Sequence, residues 1–257
     1  MNGAFYIAAT GLGADQRAID IVANNIANIN TPTFKRSAAQ FSALVAPPMG
    51  VSRLSPAFTG ETGQMMGVSA QASALDFTQG ALQQTGKPLD VAISGQGFIE
   101  VLGAGGQIEL WRGGSMMVNS DGYLAASNGQ ALKQMIAVPS DASSVTIGPD
   151  GTVQAVTSSS STPTTIGQIS LVMPKDMSAV TATDSGFYTV ASNSDLVTDT
   201  PGENGAGTLV SGSIEGSNVQ LNDEMVTLML LQRAYSANAE VAQAGDQLMA
   251  TANGLRR

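Results

Sequence analysis

Apolar residues recur at heptad spacing at both ends of the 257-residue chain. Near the N-terminus they follow steps of seven, with further apolar positions three residues behind: Phe5, Leu12, Ile19 and Ile26, then Ala8, Val22 and Ile29. Near the C-terminus, steps of four and three alternate along Leu221, Met225, Leu228, Gln232, Tyr235, Ala239, Ala242, Asp246 and Met249. This periodicity is typical of helices that bury one narrow stripe against another helix. We therefore predict long terminal helices that pair in a coiled-coil-like manner.

Between these helices the apolar pattern changes to the alternation of β-strands. Alternating runs at 89–93 and 98–102 flank a Gly-containing turn, and further turns are marked by Asp121-Gly122, Asn128-Gly129 and Asp150-Gly151. Other predicted strands span 108–111, 131–138, 145–147 and 169–172. The Ser/Thr-rich stretch 157–165 predicts a mobile surface loop. The predicted fold class is α+β, with an antiparallel all-β middle domain.

The chain divides into four segments on this pattern. Residues 1–30 form the N-terminal helix, which ends before Thr31-Pro32 because a proline disfavours helical geometry at the preceding residue. Residues 31–75 are an extended, irregular connecting region, and 76–212 are the β-rich domain. Residues 213–257 supply the C-terminal helix, which completes a helical domain with the first.

Composition narrows the function classes. The net charge is −9, and residues 101–210 carry three bases against nine acids, which argues against nucleic acid as a partner. The chain has no cysteine and no histidine, so disulfides, thiolate metal sites and the usual catalytic triads are excluded. Asp90 and Glu100 flank a predicted turn, but nothing near them completes a setting for acid–base chemistry. We expect no enzymatic activity, small-molecule substrate, metal or cofactor.

Polar residues interrupt both helical stripes. Asn24, Asn25 and Asn28 lie on the last turns of the first helix, where their amides can bond to neighbouring helices or subunits, or bond locally at the helix end. Gln232 and Asp246 stand in the C-terminal stripe as polar core residues do in coiled coils, where they fix register at a cost in stability. Chance polar positions on a less regular helix are the alternative.

Four segments of the chain carry a family resemblance. They are ANNIANINTPTFKR at 23–36, LDVAISGQGF at 89–98, GSIEGSNV at 212–219 and QRAYSAN at 232–238. In this order and spacing they closely resemble the flagellar rod and hook family, whose first signature is an asparagine-rich helix end followed by Thr-x-Gly-(Phe/Tyr)-Lys. Thr33 stands where that family usually has glycine. We therefore do not expect a positive φ at Thr33, because a β-branched residue tolerates it poorly.

The resemblance implies a structural subunit of the bacterial flagellar rod, the drive shaft of the basal body. It implies an inner layer of terminal helices, an outer β-domain and helical polymerisation in the periplasm-spanning rod. Implied partners are copies of the chain, neighbouring rod and hook proteins, the surrounding ring proteins and the flagellar type III export apparatus. Residues 1–30 lack the basic start and apolar run of a secretory signal, so export without a cleaved signal peptide is expected.

Two further distinctions stay open on the sequence. Residues 201–209 resemble distal rod proteins and 171–174 resemble proximal ones, and we prefer the distal type. A secreted β-rich adhesin with helical oligomerisation ends is a more remote alternative. The predicted subunit interface consists of Phe5, Leu12, Ile19, Val22, Asn24, Asn25, Ile26, Asn28, Leu221, Met225, Leu228, Gln232, Tyr235 and Met249.

Overall fold

The computed structural model describes residues 2–45, 65–158, 160–184, 186–190 and 196–254. The chain forms two compact units. The first comprises residues 1–26, 37–73 and 220–257, and the second comprises residues 27–36 and 74–219. Each unit is therefore built from segments that are distant in sequence.

Two long helices and eighteen strands make up the described fold. The helices are α1 (Asn2–Ala27) and α2 (Leu221–Gly254). The strands of the first half are β1 (Ser37–Val45), β2 (Met65–Leu75), β3 (Leu82–Gln84), β4 (Asp90–Ser94), β5 (Ile99–Leu102), β6 (Ile108–Trp111), β7 (Gly113–Ser115), β8 (Met117–Val118) and β9 (Leu124–Ala125). Those of the second half are β10 (Ala142–Ile147), β11 (Thr152–Thr157), β12 (Ser160–Gln168), β13 (Leu171–Pro174), β14 (Val180–Asp184), β15 (Phe187–Val190), β16 (Leu196–Asp199), β17 (Thr208–Ser211) and β18 (Ser213–Glu215).

The first unit contains α1, α2 and the two-stranded sheet β1-β2. The buried face of α1 follows the helical repeat and is made mainly of small residues, namely Ala8, Gly11, Ala14, Asp15, Ala18, Val22 and Asn25. On β2, a methyl group at Gly67 would lie only 2.1 Å from the Thr10 hydroxyl oxygen, so this strand packs closely on α1. The helix α2 begins with Asp223 and Glu224 in its first turn, where carboxylates are favoured by the helix dipole.

The second unit is a set of small antiparallel sheets. Its largest sheet has the strand order β14-β15-β6-β5, and three-stranded sheets are formed by β10-β11-β12 and β17-β4-β7. The main core surrounds Trp111, which is 2% exposed and stacks on Phe187 with ring centroids 6.2 Å apart. A smaller cluster brings Phe77, Phe98 and Tyr188 edge to face. The predicted α+β class with antiparallel strands is confirmed.

Several local predictions are correct and others are not. The glycines of the three predicted turns, Gly122, Gly129 and Gly151, all have positive φ, as such turns require. Residues 131–138 are not a strand, because Met135 takes a φ of +47° and the segment makes only isolated bridges. The Ser/Thr-rich stretch is not a loop but lies largely in β12, paired with β11.

Two boundaries also differ from prediction. The runs around the 94–97 turn do not form a hairpin, since β4 pairs with β7 and β17 whereas β5 pairs with β6. The C-terminal helix begins at Leu221, and not at 213, because Ser213–Glu215 form β18 against β3. Within 31–75, predicted as irregular, Ser37–Val45 and Met65–Leu75 are strands.

Candidate functional site

The predicted interface stripe of α1 lies beside the face that the helix buries in the single chain. Phe5 is 56% exposed, and Leu12, Ile19 and Ile26 are half-buried, whereas Val22 is buried. The buried face uses small residues because they let neighbouring backbone approach closely. The larger apolar side chains of Leu12, Ile19 and Ile26 therefore lie at its edges, where they are only partly covered.

The helix α2 shows the same offset. Leu221, Met225, Gln232, Tyr235 and Asp246 are exposed, Leu228 is half-buried, and the side chain of Met249 lies outside the described part. The covered stripe instead runs along Glu224, Leu228, Leu231, Asn238 and Ala242. Leu228 and Ala242 thus belong to both the predicted and the covered stripe, whereas Glu224, Leu231 and Asn238 each lie one position before a predicted residue. Gln232 and Asp246 are accordingly not buried polar residues of the single chain.

Asn25 is fully buried and connects three segments of the first unit. Its amide nitrogen donates to the Ser37 carbonyl oxygen at 2.7 Å and to the Glu224 carboxylate at 3.3 Å. Its side-chain oxygen accepts from the Ser37 N–H at 3.1 Å. The predicted inter-helix bonding thus occurs at Asn25, within one chain. Asn28 accepts a local hydrogen bond from the Thr31 hydroxyl at 3.0 Å, and the Asn24 side chain is exposed.

A second polar contact joins the helices near their middles. The Asn238 amide donates to the Asp15 carboxylate at 2.7 Å. Asp15 is only 6% exposed. Because Asn25 meets Glu224 while Asp15 meets Asn238, the two helices run in opposite directions.

The second unit contains a buried cluster of three charges centred on Glu215. The Lys35 ammonium donates to one Glu215 oxygen at 2.6 Å, and Arg112 Nε donates to the other at 3.1 Å. The Gly80 N–H adds a third hydrogen bond to the same carboxylate at 2.9 Å. Glu215 and the Lys35 side chain are completely buried. We call Lys35, Arg112 and Glu215 the ion-pair cluster.

Each cation of the ion-pair cluster has further partners. The Lys35 ammonium also donates to the Thr78 carbonyl oxygen at 2.8 Å. The Arg112 guanidinium donates to the carbonyl oxygens of Gly95 and Gly97, and its carbon lies 5.7 Å from the Phe98 ring centroid. Burial nevertheless lowers the pKa of Lys35, although its hydrogen bond to Glu215 works against that shift. Because Lys35 and Arg112 share the Glu215 carboxylate, both buried cations lose their counter-charge if this carboxylate is removed.

Thr33 lies beside the ion-pair cluster in a conformation that the sequence did not predict. Its φ is +60°, the left-handed value that β-branched residues avoid. Its N–H donates to the Glu215 carbonyl oxygen at 2.8 Å, and its carbonyl oxygen accepts from the Tyr188 hydroxyl at 3.1 Å. Burial raises the pKa of Tyr188, so this hydroxyl remains a donor. The expectation against positive φ at Thr33 was wrong because these contacts and local packing over-determine the backbone.

Because Gly186 has no side chain, it leaves room for the side chain of Thr33. A methyl group at Gly186 would lie 2.3 Å from the Thr33 hydroxyl oxygen. Asn218 fixes the adjoining chain by accepting from the Arg36 N–H at 2.8 Å and donating to the Asp76 carbonyl oxygen at 2.7 Å. Three of the resembling segments, 23–36, 89–98 and 212–219, thus meet in one buried polar network.

Sequence reasoning missed the ion-pair cluster although two of its members lay in quoted motifs. Lys35 lies in the first motif and Glu215 lies in the third, but no pattern indicated that they pair across 180 residues. Arg112 lies outside all four motifs. One signal could have indicated the cluster. The β-rich domain has few charged residues, and a charged residue that lies among apolar positions needs a partner of opposite charge.

The charged groups of the ion-pair cluster are bonded to one another and to backbone groups of this chain, and the cluster is buried. This arrangement is structural and does not form a metal-binding or catalytic site. Asp90 and Glu100, which flank a turn predicted from the sequence, have different partners. The Asp90 carboxylate accepts a hydrogen bond from the Ser115 hydroxyl at 2.7 Å, and the Glu100 carboxylate pairs with the Lys133 ammonium at 2.8 Å. The described residues hold no group of three or more metal-ligating side chains. In the same part of the chain, neither helix is long and apolar enough to cross a membrane.

Three family models match the chain. The first is described as the flagella basal body rod protein and matches residues 5–35. The flagellar hook protein FlgE/F/G D1 domain matches residues 92–155, and the flagellar basal body rod FlgEFG protein C-terminal region matches residues 210–255. Proteins of this rod and hook family are structural, and the chain accordingly has a structural and not an enzymatic role.

Full-length relatives specify the type within that family. The flagellar basal-body rod protein FlgG of Buchnera aphidicola subsp. Schizaphis graminum is 32% identical over 97% of this chain and 98% of its own length. FlgG of Borreliella burgdorferi is 32% identical over the whole of both chains, and FlgG of Agrobacterium fabrum is 34% identical over 95% and 96%. These matches confirm the preferred distal type, FlgG, over the proximal type, FlgF. This chain therefore belongs to the FlgG family of flagellar basal-body rod proteins.

Proposed function

We propose that this rod subunit occupies the distal rod and polymerises helically through the faces of α1 and α2 that are uncovered in the single chain. The structural role follows from the family, and the distal position rests on the FlgG type. The polymerising surface is argued from the residues that the helices leave exposed.

Exposed apolar side chains on the helices carry the proposal. Phe5, Tyr6 and Ile7 are about half exposed near the start of α1. The helix α2 exposes apolar residues over nearly its whole length, namely Leu221, Met225, Val226, Met229, Leu230, Tyr235, Val241 and Leu248. Helices with apolar residues on more than one side are stable when they are enclosed by further structure. Burial of each such side chain against another subunit contributes about 1 kcal/mol or more to association.

The partners follow from this surface and from the family. The rod and hook family implies self-assembly and contact with neighbouring rod and hook proteins. We extend the proposal to the surrounding ring proteins and to the flagellar type III export apparatus. The absence of cysteine supports the export part, because no disulfide can oppose passage of an unfolded chain.

The substitution Leu230→Asp tests the polymerising surface. Leu230 is 59% exposed, so a carboxylate there should leave the single chain folded. In a contact between subunits the same carboxylate would be buried without a partner, which costs several kcal/mol in every subunit. We expect a strain carrying this variant to lack rods in isolated basal bodies and to be non-motile.

A matched control separates the helices from the β-rich unit. Val197→Asp makes a comparable apolar-to-acid change on β16, at a residue that is 41% exposed. Rods should form with this variant, and near-ultraviolet circular dichroism of Trp111 should be unchanged in both. Normal rods with Leu230→Asp would refute polymerisation through α2.

A further inference from the structure

Asn238 enters a notch in α1 that only glycine provides. A methyl group at Gly11 would lie 2.9 Å from the Asn238 amide nitrogen and 3.2 Å from its Cγ. One turn further along α1, the Asp15 carboxylate accepts the hydrogen bond from the same amide. Gly11 and Asp15 thus form a shaped, charged receptor for a single side chain of α2.

Comparison with Gly13 indicates that Gly11 serves this contact specifically. Gly13 is exposed, and a methyl group there would meet nothing within 4 Å. A helix-interior glycine is unfavourable relative to alanine at either position. Only at Gly11 does a neighbouring side chain occupy the space that the missing methyl group leaves.

The receptor also discriminates between alignments of the helices. A shift of α2 by one helical turn, about 5.4 Å, would carry the Asn238 amide away from Asp15. The buried Asp15 carboxylate would then lose the amide donor that it has in the native alignment, which is costly in a covered site. The Asn25–Glu224 hydrogen bond would be broken by the same shift.

We propose that Asn238 is a positioning residue that sets the register of α2 along α1 through the Gly11–Asp15 receptor. The inference rests on the proposed function, because both helices carry the exposed apolar residues of the polymerising surface. The register decides how those residues of α1 and α2 are placed relative to one another. A slipped pair would present a different surface even with all secondary structure intact.

Spin-label distances measure the register directly. Because the chain has no cysteine, Ala9→Cys and Ala234→Cys, both at exposed helix positions, introduce the only two thiols for labelling. We expect one narrow distance in the full chain. Asn238→Asp places a second carboxylate at Asp15 and should broaden or displace that distance by roughly one turn, about 5 Å.

The reciprocal exchange supplies the rescue. In the double variant Asp15→Asn with Asn238→Asp, the amide and carboxylate change places, and the hydrogen bond can form in the opposite direction. This variant should restore the narrow distance. Three outcomes would overturn the proposal. The labelled chain could show a broad distance distribution before Asn238 is changed, or the same distance with and without Asn238→Asp. The double variant could also fail to restore the narrow distance.

Alanine substitutions test the notch without labels. Gly13→Ala should lower the unfolding equilibrium constant about fivefold, the value of removing a helix glycine, whether Asn238 is present or replaced by alanine. Gly11→Ala should raise the unfolding equilibrium constant when Asn238 is present, because the new methyl group meets the amide. In the Asn238→Ala background, the same substitution should lower the constant about fivefold. Far-ultraviolet circular dichroism follows both helices during urea unfolding. Identical behaviour of the two glycines in both backgrounds would refute the receptor, whatever the result of Leu230→Asp in assembly.

Discussion

Replacing Glu215 should damage the second unit far more than replacing Lys35. Glu215 is the only anion of the ion-pair cluster and accepts from Lys35, Arg112 and the Gly80 N–H. In Glu215→Gln, two buried cations remain without this carboxylate. In Lys35→Met, Glu215 keeps both Arg112 and Gly80, and the cluster becomes neutral.

The magnitudes follow from this asymmetry. Removing one partner of a buried ion pair costs about 3–5 kcal/mol when an uncompensated charge stays behind, which is the situation in Glu215→Gln. Lys35→Met loses the ammonium's hydrogen bonds to Glu215 and to the Thr78 carbonyl oxygen, about 1.5–3 kcal/mol each, but it also removes the cost of burying an ammonium, which is several kcal/mol, and it retains an apolar stem. Because the removed ammonium offsets much of the loss in Lys35→Met, we expect the free energy of unfolding to fall by about 2 kcal/mol more for Glu215→Gln than for Lys35→Met.

Urea unfolding followed by Trp111 fluorescence measures the difference, because this single tryptophan lies in the core of the same unit. With a urea slope of about 1–3 kcal/mol/M, the two midpoints should differ by about 1 M. Glu109→Gln makes the same chemical change on half-buried Glu109, outside the cluster, and should shift the midpoint little. An equal or larger loss of stability in Lys35→Met would refute the assignment of Glu215 as the shared anion.

Two further predictions concern the neighbours of Glu215. Burial lowers the pKa of Lys35 in the native chain below 10.5, so at pH values between that native pKa and 10.5 the unfolded chain binds more protons. Relative to Lys35→Met, the native chain should therefore gain stability in urea unfolding as pH rises toward 10.5. Gly186→Ala should lower the melting temperature more than Gly129→Ala, since both glycines have φ near +85° but only at Gly186 does the new methyl group meet Thr33. Thr33→Gly should remove that excess, and equal effects of the two alanines would contradict the contact.

The sequence predicted the elements whose formation depends on local pattern. The terminal helices follow from the heptad repeat, and the turns at Gly122, Gly129 and Gly151 follow from residues that accept positive φ. The family and the FlgG type follow from motifs spread along the whole chain. In each case the signal lies within a few neighbouring residues or within a recognisable segment.

What failed depends on contacts between distant segments. Which residues the helices cover within the chain was not predicted: α1 covers mainly small residues, whereas Phe5 and Met225, predicted at the subunit interface, are exposed in the single chain. Periodicity fixes the spacing of a stripe but not which of several apolar stripes faces the partner within the chain. The positive φ of Thr33 likewise depends on Gly186, which is 153 residues away and has no local signature.

The hydrogen bonds around the ion-pair cluster have a consequence for the order of folding. Asn25 and Glu224 of the first unit are separated by 199 residues, a long loop to close. Within the second unit, however, the Thr33 N–H bonds to the Glu215 carbonyl oxygen. Once that bond exists, only roughly 17 residues of chain lie between Asn25 and Glu224, which reduces the loop-closure entropy by about 2 kcal/mol. The helices should consequently pair late and quickly, after the β-rich unit has brought their connecting ends together.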